Sequence, residues 1–231
     1  MPTYVAMLRG INVLGRKRVE MARLRKMFEA MGFQQARTYI QSGNVVFKAA
    51  RSSPLALSRK IEDRMMKEFG FSALVMTRTA KELGQAIEGN PFVKEGRSEP
   101  SKVFIGFMAQ TPEGDAIEKL RARATKAERM HCGDKEIYVY YVDGMGKAKV
   151  LTHGVLEKAL AVRVTMRNWN TVSKLHEMAG DRLSAFSARV SVTGQAFGAM
   201  LAESIESQRA RRTAEIAEEA QELKRARKNG V

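Results

Sequence analysis

Side chains able to do chemistry gather at three places in the chain, and in each the chemistry is that of holding an anion. The first is the glycine-bounded loop Gly10-Ile11-Asn12-Val13-Leu14-Gly15, flanked by Arg9 and by Arg16-Lys17. A phosphate-binding P-loop needs a Lys for the phosphates and then a Ser or Thr for magnesium directly after its second glycine. No hydroxyl follows Gly15, so a nucleotide triphosphatase is disfavoured. Backbone N–H groups at a helix start, next to Arg9, Arg16 and Lys17, still suit an anion. The second place is Lys147, which follows Gly144-Met145-Gly146 on a strand-to-helix connection. It is either a second basic loop or simply a flexible hairpin exit.

The third is Arg167-Asn168-Trp169-Asn170. Its arginine is a bidentate donor for carboxylate or phosphate, and its amides both donate and accept. Trp169, the single tryptophan, reads as a core residue before a stacking platform. Asn170 or Thr171 also fits the N-cap of the helix that follows. Metal and thiol chemistry find little support. His131 and Cys132 are adjacent on a strand and point to opposite faces, so they do not share a metal, and Cys132 reads as a buried thiol. His153 stands alone in sequence, and His176, on the last helix between Leu175 and Glu177, reads as a surface or boundary residue and not as a catalyst. No metal and no cofactor are expected.

Regular elements must hold these loops. Tyr4 to Leu8 reads as a buried strand, and Met21, Leu24, Met27, Phe28 and Met31 recur at helical spacing before Gly32. Arg37 to Ile40 and Asn44 to Lys48 form a strand pair about the turn Gln41-Ser42-Gly43. Ser53-Pro54 opens a helix carrying Leu57, Ile61, Met65 and Phe69 and ending at Gly70, and Ala73 to Met76 is a last strand. The second half repeats the order. Val103 to Met108 is a strand, and Thr111-Pro112 caps a helix with Ile117, Leu120 and Ala124. Arg129 to Cys132 and Glu136 to Val142 form a hairpin, Lys149 to Leu160 is helical, Val162 to Met166 is a strand and Thr171 to Ala179 is a helix. Strand, helix, strand, strand, helix, strand occurs twice, which predicts an α+β protein of two tandem ferredoxin-like (split βαβ, antiparallel sheet) units. The domains are then 1–88, a linker 89–101, 102–180 with an extra helix, and a helical C-terminal extension 181–231. Ala196 to Lys228, rich in Ala, Glu and Arg, carries no sustained heptad.

The 231 residues include 40 Lys plus Arg against 25 Asp plus Glu, a formal net charge of +15. The segment 181–231 contributes only +2, so +13 belongs to the two units. A body this cationic concentrates anions near its surface. One cysteine excludes an intramolecular disulfide framework and suits a reducing compartment. Arg9 interrupts the chain before an apolar stretch of signal-peptide length, and Val103 to Ala109 is the longest apolar run, so a cytoplasmic location is expected.

Three runs resemble a widespread bacterial family catalogued as a domain of unknown function: Leu8-Arg9-Gly10-Ile11-Asn12-Val13, Tyr39-Ile40-Gln41-Ser42-Gly43-Asn44-Val45-Val46-Phe47 and Thr165-Met166-Arg167-Asn168-Trp169-Asn170-Thr171. Leu156-Glu157-Lys158-Ala159-Leu160 also fits its pattern. The resemblance covers about Thr3 to Ala179 and implies a cytoplasmic protein of two α+β lobes, without implying a reaction. Relatives often carry a second glycine and a lysine where this chain has Val13-Leu14-Gly15-Arg16.

The residues singled out are Arg9, Asn12, Gln41, Ser42, Asn44, Arg167, Asn168 and Asn170, with Lys147 beside them. None titrates near neutral pH, which fits recognition better than proton transfer. The function expected is a binding module for a phosphorylated ligand or nucleic acid in a cleft between the units. The alternatives are an enzyme that uses the same residues on a small anionic substrate, with Ser42 as nucleophile, and an interaction module acting through the C-terminal helix. The expected partners are nucleic acid or a phosphorylated small molecule, and a second copy of the chain, with no membrane. For nucleic acid, Tyr138, Tyr140 and Tyr141 on one strand invite comparison with RNA-binding sheets, against the simpler reading that they pack the core.

Overall fold

The first strand, β1 (Thr3–Leu8), is buried along almost its whole length, as expected for the centre of a sheet. Next, α1 (Met21–Ala30) buries Leu24, Met27 and Phe28, and the chain leaves it through Gly32 at φ +81, which only glycine adopts freely. β2 (Gln34–Tyr39) and β3 (Asn44–Lys48) form the hairpin, and α2 (Pro54–Phe69) starts where the Ser53 side chain accepts from Ala56 N and stops at left-handed Gly70. β4 (Val75–Thr79) closes a sheet of order β2-β3-β1-β4, every neighbouring pair antiparallel. This computed structural model describes residues 1–13 and 17–180. The expected helical extension, and Gly15 and Arg16 of the basic loop, lie outside the described residues.

Two helices occupy stretches where sequence patterning showed none. α3 (Ala80–Glu88) follows β4 directly and is fixed by a capping box, Thr79 with Glu82. α4 (Val93–Ser98) is a short helix inside the expected linker, which is therefore an ordered, packed connection.

The second unit comprises β5 (Val103–Met108), α5 (Gly114–Arg121), β6 (Glu128–Cys132), β7 (Glu136–Tyr141), α6 (His153–Leu160), β8 (Val164–Asn168) and α7 (Trp169–Ala179). Its sheet, β6-β7-β5-β8, repeats the first order and is again antiparallel. β8 runs two residues later than the expected Val162 to Met166, and three helix starts also differ from those expected. Thr111-Pro112 is not the cap of α5, whose N-cap is Glu113. The helix expected from Lys149 begins at His153, because the Glu128 carboxylate takes the N–H groups of Lys149, Val150 and Leu151 at 2.6–3.1 Å and holds them off helical geometry. α7 is capped by Asn168, whose Oδ1 accepts from Thr171 N at 3.0 Å, and not by Asn170 or Thr171.

Three apolar layers hold the α+β body together. The first lies between one sheet and α1 and α2, with Phe28, Phe47, Ile61 and Met65. Another lies between the second sheet and α5 and α6, with Leu120, Leu156 and Leu160. The middle layer joins the units: Val5, Met7 and Val46 of one sheet share it with Ile105, Phe107, Tyr138 and Tyr140 of the other, and with α3 and α7. Tyr138 and Tyr140 are thus core residues, as is Tyr141, whose hydroxyl donates to Leu151 O at 2.6 Å. Residues Met1–Gly180 cluster as one compact unit.

Candidate functional site

Arg167 is the penultimate residue of β8, and its guanidinium crosses the seam between the two sheets. Nε donates to Asn44 Oδ1 at 2.6 Å, and Nη2 to Leu8 O at 2.6 Å and Ser42 O at 3.2 Å. Nη1 donates to Met166 O at 2.9 Å and Thr165 Oγ1 at 3.2 Å. Burial lowers this guanidinium to about 10, so it remains charged at neutral pH. Each of its three nitrogens is engaged by protein acceptors. The residue read from sequence as an anion donor therefore joins the two units.

The same device runs in the opposite direction from β4. Arg78 donates through Nη2 to Met108 O at 2.8 Å and Lys135 O at 3.2 Å, through Nη1 to Thr77 O at 3.1 Å, and through Nε to Glu136 Oε1 at 3.4 Å. Leu8 and Met108 are the last residues of β1 and β5, and Asn44 and Glu136 the first of β3 and β7. Arg78 is paired with Val5 and Arg167 with Ile105, equivalent positions in the two sheets. The seam is therefore pseudo-two-fold, with an arginine reaching each way.

Beside Arg167 stand three groups with unused polar atoms. Arg9 forms an ion pair through Nη1 with Glu157 Oε1, which also accepts from Val164 N at 2.8 Å. Arg9 Nε and Nη2, and Glu157 Oε2, make no hydrogen bond among the described residues. His153, one turn before Glu157 on α6, has Nε2 2.9 Å from Val164 O. A carbonyl only accepts, so Nε2 carries the proton and the neutral ring leaves Nδ1 as an acceptor. Burial lowers the His153 pKa, and Arg9 and Arg167 add to this, while the Val164 carbonyl and Glu157 oppose it. Burial by itself would raise Glu157, but the Val164 N–H and Arg9 hold it below the ordinary carboxylate range.

The remaining candidates divide between scaffold and surface. Asn12, at φ +55, ties its loop shut: Nδ2 donates to Val19 O and Gln41 O, both at 2.9 Å, and Oδ1 accepts from Val19 N at 2.8 Å. Asn44 is fully buried and donates to Ser42 Oγ at 2.8 Å. Asn168 caps α7, and Trp169 is buried against Gly96, where a Cβ would come within 2.7 Å of the indole. Gln41, Lys147 and Asn170 are exposed. The structure thus brings Arg9, Ser42, Asn44 and Arg167 together and leaves Lys147 and Asn170 at the surface. His153 and Glu157 are the members that sequence reasoning passed over. Their four-residue spacing on one helix was the available signal.

A search with family models matches residues 1–138 to the family described as "Protein of unknown function (DUF1697)". The chain belongs to this family. The third signature run, Thr165 to Thr171, lies beyond the residues matched to DUF1697. No curated protein matches the chain. Among solved structures it is similar to a conserved bacterial protein from Streptococcus pneumoniae, with a TM-score of 0.59 at 21% identity, over 78% of this chain and 99% of that one. At that identity the likeness is one of fold. Among the described residues no helix is long and apolar enough to cross a membrane.

Proposed function

We propose that the chain is a cytoplasmic binding module for a phosphorylated ligand, held at the seam between two ferredoxin-like units. The strand orders β2-β3-β1-β4 and β6-β7-β5-β8 support the ferredoxin-like reading of each unit. One observation carries the ligand reading. Arg9, from the first unit, is anchored by Glu157 of the second and keeps Nε and Nη2 without a partner among the described residues. Arg167, Asn44 and Ser42 then act as the frame that sets Arg9 in place, and exposed Gln41 borders it. Ile40, at φ +48 and 52% exposed, adds backbone strain at the same turn.

The test is calorimetric titration of the full chain with inorganic pyrophosphate and with a single-stranded RNA, each at two salt concentrations. Salt-dependent pyrophosphate binding that Arg9→Gln weakens about tenfold supports the reading. Equal affinities in the unaltered chain and the variant overturn it, and tight binding of RNA alone transfers the site to nucleic acid.

An enzymatic reading is favoured by one feature, the neutral His153 with Nδ1 open as a proton acceptor. It expects His153→Gln to abolish turnover of a small anionic substrate while leaving pyrophosphate affinity unchanged.

A further inference from the structure

The pseudo-two-fold seam has a second end, where α2 and β4 of the first unit meet the connections that leave β5 and β6 of the other. There the counterpart of Arg9 is Ala109: Arg9 N donates to Leu74 O at 2.8 Å, and Ala109 N to Arg163 O at 3.0 Å, at matching places in the two sheets. Ser58 stands where His153 does, one turn before Glu62, whose Oε1 accepts from Val75 N at 2.8 Å. With alanine in place of the arginine this end is open, and a cleft of about 530 Å³ lies between the units. That is the size range of sites for small organic ligands.

The charge of the cleft decides what it takes. Arg59, Lys135 and Arg163 line it and form no ion pair among the described residues, while the fourth cation, Arg78, is engaged by Glu136 and by carbonyls. Two carboxylates share the wall, each engaged through one oxygen and each keeping its negative charge. Glu62 is held by Val75 N, and Glu82 by Thr79 N at 2.7 Å and Thr79 Oγ1 at 2.8 Å. The first turn of the 16-residue α2 opens at the same wall, which adds the positive end of a helix dipole. Leu74 and Val162 supply apolar surface between the charges. Four cations against two carboxylates leave the lining with a net charge of +2, which suits a dianion.

We infer that this cleft is a second anion site, distinct from Arg9, which takes a phosphorylated small molecule carrying at least two negative charges. The phosphate lies among Arg59, Lys135 and Arg163, and the organic part rests on Leu74 and Val162. The inference does not depend on the function proposed for the Arg9 end, and the two fail separately.

The experiment titrates inorganic pyrophosphate into the full chain carrying Arg9→Gln, and into the same chain with Lys135→Ala and Arg163→Ala added. Both added positions are exposed and unpaired, so melting temperature should not change. The expected result is one saturable site in the first protein, weakened at least tenfold in the second. Absence of saturable binding in the Arg9→Gln chain, or superimposable isotherms for the two proteins, overturns the inference.

Discussion

Glu62 and Glu157 accept the same backbone hydrogen bond in the two units, each from the first residue of the closing strand, Val75 and Val164, at 2.8 Å in both. Among the described residues only Glu157 also has an arginine, Arg9. The two ends of the seam are thus alike in scaffold and unlike in charge. Losing Arg9 should affect the ends unequally: Arg9→Gln should raise the His153 pKa, since Arg9 opposes imidazolium formation, and leave the environment of Glu62 unchanged. Histidine side-chain NMR titration reads this directly, and an unmoved His153 midpoint would separate the two residues.

The His153 pKa has a sign to check against stability. Its folded value lies below 6.5, so the neutral ring contributes stability that is complete above 6.5 and is lost as pH falls through the folded value. Thermal melts should therefore weaken as pH drops below 6.5, and His153→Gln should flatten that part of the profile. The same NMR spectra should show the proton on Nε2.

Arg167→Ala leaves Asn44 Oδ1 and the carbonyls of Leu8, Ser42 and Met166 without their donor in a buried seam. A loss of about 3 kcal/mol in urea unfolding is expected. Arg167→Lys should recover little of it, because one ammonium cannot reproduce donors spread over both sides of a planar fork. Full stability in the lysine variant would mean that the fork is not what joins the units.

Glu128 is 7% exposed and receives N–H groups from Lys149, Val150 and Leu151. Burial alone would raise its pKa, but those N–H groups outweigh it and the carboxyl lies below 4.5. The stability it brings is present above 4.5 and lost as pH falls through the lower folded value. Glu128→Gln should lower the neutral-pH melting temperature by roughly 3 °C or more and remove this part of the acid limb.

Gly43 lies at φ +75, and a Cβ there would come within 2.7 Å of Ile11 Cδ1 and 2.9 Å of Leu8 Cβ. Gly43→Ala combines backbone strain with overpacking and should cost about 2 kcal/mol in chemical denaturation. A neutral substitution would show that the turn relaxes freely.

Much of the α+β order was legible because local signals coincide. The Leu57, Ile61, Met65 stripe lies between the Ser53-Pro54 start and the Gly70 stop, and α2 has those bounds. Where one signal stood alone, reading failed. Thr79 and Glu82 form a capping box, yet Gly84 inside a nine-residue helix hid α3. Position 149 looked helical because nothing local reveals that Glu128, 21 residues earlier, captures its N–H. For the site, residue type showed the sign of a partner but not whether a group was already engaged. Arg9 and Arg167 look alike in sequence, and only the fold shows Arg167 bonded at every nitrogen.

Most acceptors of Arg78 and Arg167 are main-chain oxygens: Met108, Lys135 and Thr77 for one, Leu8, Ser42 and Met166 for the other. A carbonyl is present whatever residue bears it. Each half can therefore accumulate substitutions across the positions that meet the other without losing its hold, provided a single arginine persists. Two halves descended from one ancestor could drift under that rule until their amino acids no longer align. Between β4 and β8 the residues that coincide are Val75 with Val164 and Arg78 with Arg167.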